Sequence, residues 1–155
     1  MKKLLFFFLF FSFLFAYYEK MCTLIPDKID SFELQGRCEG VDVNSNGIKG
    51  SQAVKSFVKD TKKINIHLLS GMFAMQAGES LGQNLQINTD DVKIEVKDFE
   101  GFKSMMSYQK RQKGGDFIIL FAPGKVMVVE FNNMKPEEVK EIVKKYLNLN
   151  KIKNF

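Results

Sequence analysis

Tryptophan is absent from the 155 residues, histidine occurs once, and arginine, cysteine and proline occur two, two and three times. One histidine, His67, leaves no histidine cluster for a metal and no second imidazole for acid–base work. The two arginines, Arg37 and Arg111, are few for a nucleic-acid binder, which relies on bidentate guanidinium contacts to phosphate and guanine. No nucleic-acid partner is therefore expected. Beyond residue 18 no apolar run approaches the roughly 20 residues that a membrane-spanning helix needs. Internal repeats and low-complexity tracts are also missing, and 45% hydrophobic with 26% charged residues excludes a disordered or fibrous chain.

What is abundant is phenylalanine, and seven of its 16 copies fall within the first 15 residues. Lys2 and Lys3 precede an apolar run from Leu4 to Ala16, broken only by Ser12. A basic start, a short apolar stretch and a small residue at its end form the pattern of an export leader, cleaved here after Ala16 to leave Tyr17 first. The stretch is short for a retained membrane anchor, and Glu19 and Lys20 end it. Two segments are thus expected: a leader over 1–16 and one domain over 17–155, in the periplasm or outside the cell and not integral to the membrane after cleavage. Lys2 and Lys3 also account for two of the net charge of +5.

Export changes how Cys22 and Cys38 read. In an oxidising compartment the expected state is a disulfide closing a loop of about 15 residues, worth roughly 3 kcal/mol. Two buried thiols are the alternative. No C-x-x-C pair supports redox chemistry.

The rest of the chain alternates in the manner of strands over 32–43, 53–59, 64–69, 92–96, 102–110, 116–121 and 126–131. Asn46-Gly47, Glu100-Gly101, Gly114-Gly115 and Pro123-Gly124 mark tight connections, which favour antiparallel neighbours. A glycine-punctuated helix is expected over 72–81. A second begins at Pro136, with Val139, Ile142, Val143, Tyr146 and Leu147 on one stripe. Residues 151–155 read as a frayed tail. The class is α+β: a meandering antiparallel sheet of about six to seven strands, with a C-terminal amphipathic helix and one shorter helix packed on a face.

Four constellations bear on chemistry. Gly78-Glu79-Ser80-Leu81-Gly82 matches the G-x-S-x-G nucleophile elbow, yet helix-like residues precede it and the only histidine lies upstream. Asp42, Asn44, Asn46 and Gly47 match the first half of a calcium loop, whose closing carboxylate falls on Ala53. Met72, Met75, Met105 and Met106 suggest soft thioether ligands, but adjacent Met105 and Met106 point to opposite sides of a strand, and methionine at helical spacing ordinarily fills a core. His67 shares a strand side with Asn65 and Leu69, where solvation is the default. No catalytic or metal-binding residue and no cofactor is therefore assigned.

A possible interaction surface comprises Met72 and Met75 together with the basic Lys110, Arg111 and Lys113. An envelope protein or an anionic surface is the partner it suits. The expected function is a non-catalytic exported accessory or binding domain. A small hydrolase or metal-binding envelope protein, centred on Ser80 or His67, is the alternative.

Phe99-Glu100-Gly101-Phe102-Lys103, then Gly114-Gly115-Asp116 and the strand pair over 117–131 leading into Pro136–Leu147, resemble the layout of small exported PsbP/Mog1-like α+β domains. The resemblance spans roughly residues 30–150 and rests on architecture. It implies accessory or binding roles without catalysis, and it transfers no functional residue.

Overall fold

The computed structural model describes residues 16–82 and 85–155, so the leader expected over 1–16 lies, apart from Ala16, outside the described residues. Eight strands form one antiparallel sheet: β1 (Glu33–Ser45), β2 (Ile48–Lys59), β3 (Lys62–Gly71), β4 (Gln86–Asn88), β5 (Val92–Phe99), β6 (Phe102–Gln109), β7 (Gly114–Ala122) and β8 (Lys125–Asn132). Their spatial order is β1-β2-β3-β8-β7-β6-β5-β4, two meanders joined by the antiparallel pairing of β3 with β8. The connecting segment contains α2 (Met72–Gly78) and a 3-10 turn, Glu79–Gly82. It crosses one face of the sheet to deliver the chain to the far edge.

That crossing gives the sheet two cores. On one face Phe57, Ile64, Ile66, Phe117, Met127 and Phe131 pack beneath α3 (Pro136–Tyr146) and α4 (Leu149–Ile152). The helix stripe Val139, Ile142 and Val143 is buried there, as its spacing requires. On the opposite face Leu69, Met105, Ile118 and Val126 meet Ala74 and Leu81 of the crossing segment. Met105 and Met106 accordingly enter different cores.

The N-terminal α1 (Tyr17–Cys22) joins the first core through Met21, and the Cys22–Cys38 disulfide ties it to β1 with a Cα–Cα distance of 5.9 Å. Lys55 is the unusual member of this face. Its side chain is 7% exposed, and its ammonium donates to the Ile25 carbonyl at 2.6 Å and to Asp27 at 2.5 Å. A buried lysine is tolerated where its donors are met in this way.

Four expectations need correction. The tail is not frayed: Asn148 caps α4 by accepting from the Lys151 amide, and Ile152 and Phe155 are buried. Apolar side chains two turns beyond a helix are enough to fold the chain back onto a core. The sheet gains β4, whose three exposed and mostly polar residues carry no alternation. The β6–β7 reversal falls on Lys110–Lys113, with Gly114-Gly115 inside β7. A Cβ on Gly115 would lie 1.9 Å from the Ser107 carbonyl oxygen, so glycine serves close strand approach there and not a turn. Finally, Met72 and Met75 do not face inward. The buried side of α2 is built from Ala74, with Phe73 and Ala77 packed against it.

Candidate functional site

Because α2 spans only part of its sheet face, a cleft of about 370 Å³ opens between it and β2, β3 and β8. The alternation of these strands decides what lines it. Gln52 on β2, His67 on β3 and Glu130 on β8 point to this face, while their neighbours Ala53, Leu68 and Val129 point into the main core. α2 adds Gln76 from its first turns. Leu69, Phe73 and Val128 supply apolar walls.

The polar groups contact one another. Gln52 Nε2 lies 3.3 Å from His67 Nδ1, and Asn65 Nδ2 donates to Glu130 Oε2 at 3.1 Å. His67 Nε2 approaches Glu130 Oε2 at 3.3 Å without hydrogen-bond alignment. That nitrogen and the Asn65 Oδ1 are buried with no hydrogen-bond partner in the protein. His67 is thus not solvated as its strand position suggested; its side chain is 16% exposed, because the crossing segment passes over this part of β3.

Next to this cluster, Asp116 on β7 stands directly across from Glu130. Burial raises its pKa above the ordinary aspartate value, and the Glu130 charge adds to the rise while His67 opposes it. The amides of Gln52 and Gln76, the His67 imidazole and the Glu130 carboxylate therefore line one small space, with Asp116 across the strand from Glu130. Such a set recognises hydrogen-bonding groups. The lining contains no serine, threonine or cysteine to act as nucleophile.

The other constellations resolve as follows. Ser80 falls in the 3-10 turn that continues α2, so the strand-to-helix turn that an elbow needs does not precede it. Asn46 and Gly47 have φ of 50° and 80° and make a two-residue hairpin turn between Ser45 and Ile48. Asp42 of the calcium-like sequence is engaged elsewhere, accepting from the Tyr17 and Tyr18 amides. Among the described residues, no group of three His, Cys, Asp or Glu side chains comes together to hold a metal.

Met72 and Met75 are 40% and 66% exposed. Met72 lies over Gly50, its Cγ 2.6 Å from where a Cβ would stand, so it borders the same sheet face as Ile48 at the hairpin end. Lys110, Arg111 and Lys113 occupy the opposite end of the strands, and the two groups form no common surface. Arg111 pairs with Asp91 at 2.5 Å, and Lys110 donates to Asn88 and to the Thr89 carbonyl. Only the Arg111 charge is offset by a carboxylate there; the Lys110 partners are neutral oxygens.

Sequence reasoning missed Gln52, Gln76, Asp116 and Glu130. For Gln52, Asp116 and Glu130 the one signal was polarity at alternate strand positions, which most solvated strands share; Gln76, on α2, gave none. No helix among the described residues is long and apolar enough to cross a membrane. Compared with protein families, curated proteins and solved structures, the chain matches none.

Proposed function

We propose that the chain is an exported, non-catalytic binding domain whose ligand occupies the cleft between α2 and strands β2, β3 and β8. The single observation carrying this reading is the polar cluster in the cleft wall, where the buried His67 Nε2 faces Glu130 Oε2 at 3.3 Å without making a hydrogen bond. Leaving a buried polar group without a hydrogen bond costs about 1–3 kcal/mol, so a cleft that keeps one gains by taking in a ligand that meets it. Apolar walls with a few converging polar groups are the usual make-up of small-molecule sites. The ligand class is a small polar molecule that both donates and accepts hydrogen bonds. Export is supported by the leader pattern and by the Cys22–Cys38 disulfide, which suits an oxidising compartment. The PsbP/Mog1-like resemblance points the same way, towards an accessory or binding role.

Exposed Met72 and Met75 favour a second reading, in which an envelope protein docks on the apolar rim formed with Ile48. Native mass spectrometry on exported protein separates the two. An adduct on the wild type that disappears in His67→Ala is the expected result. A bare wild-type chain, or an adduct that His67→Ala keeps, overturns the cleft reading.

A further inference from the structure

We propose that hydrolysis of the Ala16–Tyr17 bond produces an ammonium group that docks on Asp42, so that processing itself completes the attachment of α1 to the sheet. This rests on the reading of residues 1–16 as a cleaved leader. The geometry is already in place. Tyr17 N lies 2.7 Å from Asp42 Oδ2 and Tyr18 N lies 3.1 Å from Oδ1, so one carboxylate on β1 receives both nitrogens.

Both nitrogens are also held from the mature side of that bond. Tyr18 packs against Gly40, where a Cβ would stand 2.4 Å from the ring. Cys22 is bonded to Cys38 at the other end of the same short helix. Asp42 therefore sits beside a nitrogen whose position is fixed from the mature side of the scissile bond.

In the cleavage, water adds to the Ala16 carbonyl carbon and the C–N bond breaks. Ala16 departs as a carboxylate, and Tyr17 N takes up protons to become an ammonium. The nitrogen gains a full charge and further donors. Cleavage also removes the Ala16 carbonyl, which accepts from the Glu19 amide at 3.0 Å. The first turn loses that bond and keeps Asp42. The amide–carboxylate bond is already charge-assisted through Asp42, and the ammonium adds the second charge, so the retained contact becomes an ion pair as the other bond is lost.

The test starts from the full chain, exported and purified. An intact mass beginning at Tyr17 is expected; any other start overturns the processing reading, and this proposal with it. With the start confirmed, the mature chain is compared with one beginning at Ala16, each as wild type and as Asp42→Asn. Asp42→Asn is expected to lower the melting temperature of the Tyr17-start form by about 2–4 °C more than that of the Ala16-start form. Aminopeptidase is expected to remove Tyr17 from the variant at least about tenfold faster than from the wild type, because local opening controls access. Equal losses in both forms, with unchanged trimming, reduce Asp42 to a cap for backbone amides and overturn the proposal. Should Asp42→Asn fail to fold, the wild-type pair decides: the Tyr17-start chain must melt above the Ala16-start chain, and the reverse order sinks the idea.

Discussion

The Lys55 ammonium and the Asp27 carboxylate meet at 2.5 Å across the junction between β2 and the segment that follows α1, with the lysine buried and the aspartate 80% exposed. The two ends of this contact are unequal. Removing Lys55 strands the buried Ile25 carbonyl that it also serves, whereas removing Asp27 leaves an ammonium still bonded to that carbonyl. Lys55→Met is expected to destabilise the fold by about 1–3 kcal/mol, and Asp27→Ala by no more than about 1 kcal/mol. Urea unfolding of the two variants checks the order; equal losses would contradict it.

The disulfide closes a short loop between α1 and β1, with a sequence separation of 16. Replacing Cys22 and Cys38 by serine is expected to cost about 3 kcal/mol through the freed unfolded chain. Reductant should lower the melting temperature of the wild type and leave the double variant unaffected.

Phe155 is the last residue and is 8% exposed, with its ring edge-on to Phe121 at 6.2 Å. Phe155→Ala is expected to destabilise by about 3 kcal/mol, as for a phenylalanine lost from a core. A frayed terminus would give no measurable change, so a single melting curve distinguishes the two descriptions.

Asp116 gives a pH signature. Its folded-state pKa is raised by burial and by Glu130, so the folded chain holds this proton more tightly than the unfolded one. Stability from this group is complete below the ordinary value of 3.8 and declines as pH rises through the folded value. Asp116→Asn should therefore stabilise the protein at neutral pH, and the gain should shrink as the pH falls towards 3.8. Melting temperatures across that range check it, and a gain that persists at the acid end would refute the sign.

Met72→Ser with Met75→Ser removes side chains that are 40% and 66% exposed and lie outside the buried clusters. The melting temperature is expected to change little, about 0.5 kcal/mol or less per site. A larger drop would move both residues into the core.

Much of this fold is legible locally. The stripe from Val139 to Leu147 and the alternation Ile64, Ile66, Leu68 each place one side inward, and the structure buries those sides. Turns with their own chemistry, such as Asn46-Gly47, are legible for the same reason. The cleft is not. It depends on β3 pairing with β8, whose register sets His67 beside Val128 and Asn65 beside Glu130 across more than 60 residues of chain. No spacing within either strand encodes that meeting. The path of α2 over the sheet is equally nonlocal: Ala74 and Ala77 look no more inward than Met72 and Met75 until the crossing is known. Lys55 escaped notice because its strand side is otherwise apolar, and only the returning carbonyl of Ile25 makes a cation tolerable there.

The margins of the sheet bear on how the protein behaves at high concentration. At one margin the outermost strand, β4, is only three residues long. At the other, β1 loses register between Gln35 and Glu39, and the chain in that interruption carries Cys38, covalently held to α1. A visiting strand thus finds a short stub on one side and a bulged, stapled ribbon on the other, both poor templates for further pairing. The short β4 and the bulge in β1 interrupt both borders of the eight-stranded sheet, which disfavours chain-to-chain polymerisation without any barrel closure.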